Sequence, residues 1–178
     1  MTKIEQLLSQ YAAYHLDQKN IYTHFIGIPM IVFSIICLTA RLGVTLGAFE
    51  VTLALVILIA STLYYLSLDK IFAILMAIIF AIAYPFAYDI AQLSTSVWLM
   101  WSVGFFVVGW IIQFIGHMFE KKKPAFVDDL VGLAIGPLFV LAEVVFLLGF
   151  RKSLEEKMLQ EGRRQRQLMD QKHHIANS

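Results

Sequence analysis

The sequence predicts an all-α, polytopic membrane bundle: four full spans plus a re-entrant or fifth span, with an N-terminal amphipathic helix and a charged C-terminal helix. Two observations carry this prediction. The 178 residues are 59% hydrophobic and 15% charged, with a mean hydropathy of +0.72, whereas a soluble domain is about half apolar and about a quarter charged. The apolar residues also fall into five runs, 21–40, 47–66, 71–88, 97–119 and 130–150, each near the ~20 residues a helix needs to cross a ~30 Å hydrocarbon layer. Helices rather than a barrel follow, because lipid forces every backbone group to be satisfied internally and the chain is too short and too uniformly apolar for strands to close. A net charge of +1 creates no field to gather nucleic acid, so no such partner is expected. The single cysteine, Cys37, excludes an internal disulfide framework and a Cys-rich metal site.

Residues 1–20 carry Lys3, Glu5, Gln6, Asp17, Lys19 and Asn20, which is not the pattern of a cleaved signal. Ile4, Leu7, Leu8, Tyr11 and Tyr14 recur at helical spacing and predict a short amphipathic helix over about 3–16. Asp17 and Asn20 are both N-cap types, so the first span begins afresh after a break. Only Ser67, Leu68, Asp69 and Lys70 separate the second and third runs, which predicts a helical hairpin with Asp69-Lys70 at an interface. The last run contains Gly132, Gly136, Pro137 and Glu143; a re-entrant path there leaves every Lys and Arg except Arg41 on one side, the preferred charge distribution. Either path puts the N-terminus and Lys121–Lys123 on the same, cytoplasmic face of a multi-pass membrane protein. Residues 151–172 read as a charged helix with Leu154, Met158 and Leu159 at helical spacing, solvated or lying beside anionic lipid. The organisation is thus one membrane-embedded domain over 1–150 and a tail over 151–178.

His173-His174 lie near the end of the tail, and three other histidines matter more. His24 starts the first span and His117 ends the fourth, so antiparallel connectivity brings both to one face, where His15 also lies. Three neutral imidazoles are a minimal metal set. His15 and His24 are nine residues apart, on opposite sides of any continuous helix, so convergence requires the break near Asp17. Asn20 and His24 are then i and i+4. Gln113, Gly116, His117 and Glu120 form a stripe at i, i+3, i+4 and i+7 on an otherwise apolar helix, a placement that is costly in lipid and points to a site or another helix. Glu143 reads as structural, and Glu50 and Asp89 as solvated at the far interface. Asp128-Asp129 reads as a helix cap or as a bond to a ligand histidine.

Two stretches carry a family resemblance. Tyr14-His15, Asn20, His24, Gly27 and Pro29, together with Trp110, Gln113-Phe114, Gly116-His117, Phe119-Glu120 and Pro124-Ala125, resemble the Mpo1-like family over about residues 5–150. The yeast member of that family is a 2-hydroxy fatty acid dioxygenase. The resemblance implies an integral-membrane enzyme that needs Fe(2+) and O2 and shortens a 2-hydroxy fatty acid by one carbon, with His15, His24 and His117 as the metal ligands. Relatives often place three residues between the histidine and the glutamate of the second motif, whereas here only Met118 and Phe119 intervene. Glu120 departs from that spacing but shares the helical face with His117, so it is expected at the catalytic site, as a further ligand or as a group that orients one. Asn20 and Gln113 are expected to orient the ligands or the bound oxygen, and Lys121–Lys123 to attract a carboxylate or simply to mark topology. Iron(II) held by three imidazoles keeps positions open for the carboxylate and hydroxyl of the substrate and for O2. A zinc-dependent lipid hydrolase, a bis-histidine haem protein using His24 and His117, and a scaffold or transporter built around Glu143 remain the competing readings.

Overall fold

The computed structural model describes residues 1–47, 49–121 and 131–176; Lys122, Lys123, Pro124, Ala125 and Asp128-Asp129, and the side chains of His173 and His174, lie outside the described residues. The chain is mostly helical. The elements run α1 (Lys3–Ala12), α2 (Gln18–Ala40), β1 (Gly43–Leu46), β2 (Phe49–Thr52), α3 (Leu53–Leu68), α4 (Lys70–Ala91), α5 (Thr95–Glu120), α6 (Val131–Leu147) and α7 (Lys152–Ala176). Three of them, α2, α4 and α5, are long and apolar enough to cross a membrane. The 16-residue α3 and the 17-residue α6 are shorter.

One expectation is corrected. The second apolar run does not begin a helix at 47, and the chain is not purely α-helical, because residues 43–52 form an antiparallel hairpin pairing Gly43 with Thr52 and Leu46 with Phe49. Val44, Thr45, Val51 and Thr52 are β-branched and favour extended backbone, and Gly47 supplies the positive φ of 65° at the turn. Apolarity alone did not separate these residues from the helix that follows. Thr52 ends the hairpin and caps α3, its Oγ1 accepting from the Leu55 amide, and its hydroxyl meets Tyr84 of α4 at 2.9 Å. Glu50 is not merely solvated, since its carboxylate accepts a hydrogen bond from the Tyr88 hydroxyl of α4. Asp69 joins α3 to α4 as the expected hairpin, its Oδ1 accepting from Ile71 and Phe72.

The chain divides into two compact units, residues 1–23 with 114–178, and residues 24–113; the division cuts through the continuous helices α2 and α5. In the first unit, Thr2 and Glu5 form a capping box that starts α1. Its apolar face, Ile4, Leu7, Leu8 and Tyr11, is buried. α7 lies parallel to α1, with Lys157 on Glu5 at 2.8 Å and Arg166 on the Ala13 carbonyl at 2.7 Å, and Leu154 and Met158 are buried. Lys157 holds the Glu5 carboxyl below its ordinary value, and Arg164 and Gln165 lower Glu161 to about 2. Both depressed groups stabilise the fold above the ordinary carboxylate range and lose that contribution as acid protonates them.

In the second unit α2 and α5 run antiparallel at close range. A Cβ on Gly27 would lie 2.9 Å from the Gly109 carbonyl, and a Cβ on Gly109 would lie 2.7 Å from the Ile31 side chain and 2.9 Å from the Gly27 carbonyl. The Trp98 indole donates to the Cys37 carbonyl at 2.9 Å, further along the same seam. In the first unit, Gly116 sits against Asn20 and Thr23. Asn20 and Gly27 on α2 therefore face Gly116 and Gly109 on α5, two pairs spaced by seven residues. Small side chains at such spacing let membrane helices approach until backbone touches backbone. Gly109→Val should therefore lower stability by about 2 kcal/mol or more, while Gly104→Val, at a position with nothing within 4 Å of an added Cβ, should be neutral. Thermal unfolding in one detergent checks the pair.

Candidate metal centre

α1 ends at Ala12 and the chain turns through Tyr14 and His15, whose amides donate to the Tyr11 and Ala12 carbonyls. His15 follows that turn. Its ring stacks on Tyr11 with centroids 4.1 Å apart and planes at 6°, and its Nδ1 lies 2.7 Å from the Tyr11 carbonyl oxygen. A carbonyl only accepts, so the proton sits on Nδ1 and Nε2 is the nitrogen that could take a metal. This is the arrangement that orients metal-binding histidines generally. Phe139 of α6 covers both rings, at 4.8 Å from Tyr11 and 5.8 Å from His15. The His117 ring meets His15 edge-on at 5.0 Å.

The expected break between His15 and His24 is present. Asp17 caps the new helix, its Oδ1 accepting from the Lys19 amide at 2.8 Å and its carbonyl from Ile21. Asn20 is not the cap; it lies inside the first turns of α2, where it and His24 share a face. His15, His24 and His117 are 1%, 2% and 7% exposed, and their candidate ligand atoms all lie within 4.8 Å of one another. Metal–nitrogen bonds of about 2.1 Å place three ligand atoms ~3–3.5 Å apart. The three histidines are thus a set that could hold a metal ion.

The three polar residues singled out beside the histidines have different surroundings. Glu120 makes a buried hub. Its Oε1 accepts from both terminal nitrogens of Arg166 at 2.8 and 2.6 Å, and its Oε2 accepts from the Asp17 amide at 2.8 Å and the Asn20 side chain at 3.2 Å. Every oxygen of that carboxylate is thus engaged by protein, which suits a group that positions Asn20 and the start of α2. Asn20 is fully buried. Gln113 is 4% exposed, lies over Gly27 with its Nε2 where a Cβ would come within 2.8 Å, and has no hydrogen-bond partner for either side-chain polar atom among the described residues.

These stretches can be set beside known proteins. A family model, described as 2-hydroxy-palmitic acid dioxygenase Mpo1-like, matches residues 1–148. The 2-hydroxy-palmitic acid dioxygenase MPO1 of Saccharomyces cerevisiae is 32% identical over 152 residues, 83% of either chain. The chain belongs to the Mpo1-like family. No solved structure matches it.

In this Mpo1-like chain, reading the sequence did not find Arg166, which lies beyond the family match, nor the Tyr11 carbonyl and the Phe139 ring. Arg166 falls one and two helical turns after Gly162 and Met158, on the face of α7 that packs against α1. That spacing was the available signal, obscured by the surrounding basic run. Gly116 yields a prediction. A Cβ there would lie 2.0 Å from Thr23 Oγ1 and 2.5 Å from Asn20 Oδ1, so Gly116→Ala should cost about 1–3 kcal/mol of stability, and adding Thr23→Ala should restore part of it. Thermal unfolding of the single and double variants checks this.

Proposed function

We propose that this chain is an iron(II)-dependent dioxygenase that uses O2 to shorten 2-hydroxy fatty acids by one carbon at the membrane interface. The carrying observation is the convergence of three buried imidazoles from three separate segments, in a chain whose yeast relative is a 2-hydroxy-palmitic acid dioxygenase. The topology that goes with this reading has four full crossings and a half-inserted α6, with the site on the cytoplasmic face.

His15, His24 and His117 would hold the metal, and the donor chemistry suits iron(II) or zinc alike. Bound iron(II) would supply open positions for the hydroxyl and carboxylate of the substrate and for O2. The protein's own part is positioning. The Tyr11 carbonyl fixes the tautomer and angle of His15, while Phe139 and Tyr11 keep water from the rings. Glu120 and Asn20 set the first turn of α2, from which His24 projects. The Gln113 amide, buried one helical turn before His117, supplies a donor and an acceptor to a substrate oxygen; left unused, such a group costs about 1–3 kcal/mol. The acyl chain would lie along the apolar helices while its carboxylate stays at headgroup depth. The stoichiometry closes without an external reductant: a 2-hydroxy acid and one O2 give the acid one carbon shorter, CO2 and water.

The test is O2 consumption by purified protein with 2-hydroxypalmitate, palmitate serving as control. Substrate-dependent uptake with matching CO2 release supports the reading, and one zinc per chain with no uptake replaces it by a hydrolase. Gln113→Leu should retain metal and lower kcat/KM by about 10-fold or more.

A further inference from the structure

We infer that the C-terminal helix is part of the metal centre, with Arg166 acting as a positioning residue that clamps the segments carrying the histidines. This rests on the metal reading above. Arg166 lies outside the residues the family model matches, yet its side chain is 14% exposed and the Glu120 side chain it meets is 2% exposed. It binds two separate pieces of chain directly and a third through the carboxylate it holds. One terminal nitrogen donates to the Ala13 carbonyl at 2.7 Å, two residues before His15. The other reaches the Glu120 carbonyl at 3.3 Å, three residues after His117. Both hold Glu120 Oε1, and through Oε2 the same carboxylate receives the Asp17 amide and the Asn20 side chain at the start of α2. Asp170, one turn on, faces the Arg166 Nε at 4.0 Å.

The guanidinium suits this work because its planar fork presents several donors in fixed directions. A lysine could supply the charge but not three simultaneous directions. Removing Arg166 would also leave the Glu120 carboxylate buried without its counter-charge, which is costly in itself. The two effects are separable. A Glu120→Gln/Arg166→Ala double variant removes the unpaired charge without restoring the clamp.

The experiment compares iron(II) affinity, by anaerobic competition with a chromophoric chelator, and backbone hydrogen exchange in full-length protein. Arg166→Ala should weaken affinity by about 10–100-fold, the usual effect of losing a group that orients a ligand, and expose the Asp17 amide to exchange. Arg166→Lys should recover only part. The double variant should recover thermal stability but not affinity. Lys157→Ala, which loses a different contact between α7 and α1, should leave affinity within twofold. Unchanged affinity in Arg166→Ala, or equal losses in Arg166→Ala and Lys157→Ala, overturns the inference. If the unaltered protein takes up no iron(II), the metal reading fails on its own; exchange then decides the clamp, and retained protection of the Asp17 amide in Arg166→Ala overturns it.

Discussion

Backbone-to-backbone contact between α2 and α5 is the constraint on which the site depends. Lipid tails are as apolar as leucine, so membrane helices gain little from hiding apolar side chains from one another. Close packing and polar bonds hold them instead. Gly27 and Gly109 permit that contact in one unit, and Gly116 lets Asn20 and Thr23 in against α5 in the other. A side chain at any of these positions would force the helices apart. His117 directly follows Gly116 and His24 directly follows Thr23, so two of the three histidines are chain neighbours of this close approach.

The third imidazole arrives by a different route. α1 is held by its own amphipathic face, by α6 through Tyr11 and Phe139, and by α7. His15 sits just past its end, where the Tyr11 carbonyl determines the ring's angle. The ion pair of Arg166 and Glu120 is the joint within the unit that contains both.

Much of this could be read from the residues. Helical phase required a break between His15 and His24, and Asp17 provides it. The stripe Gln113, Gly116, His117, Glu120 marked a buried polar face of α5, and paired motifs identified the family. The hairpin at 43–52 was missed because hydropathy does not distinguish an apolar strand from an apolar helix; the β-branching of Val44, Thr45, Val51 and Thr52 is the signal that does. Arg166 was missed for the opposite reason. Its neighbours are also basic, and only packing against α1 reveals which member of the run turns inward. The pairing of Glu120 with a residue 46 positions away has no local signature.

The measurement that bears most directly on the account is metal content per chain, by elemental analysis of untagged protein purified anaerobically, for the unaltered chain and for His15→Ala, His24→Ala and His117→Ala. The account predicts near one iron per chain in the first and loss of it in each variant, with membrane insertion intact. A variant that keeps its iron would remove that histidine from the ligand set, and an unaltered chain without metal would contradict the account as a whole.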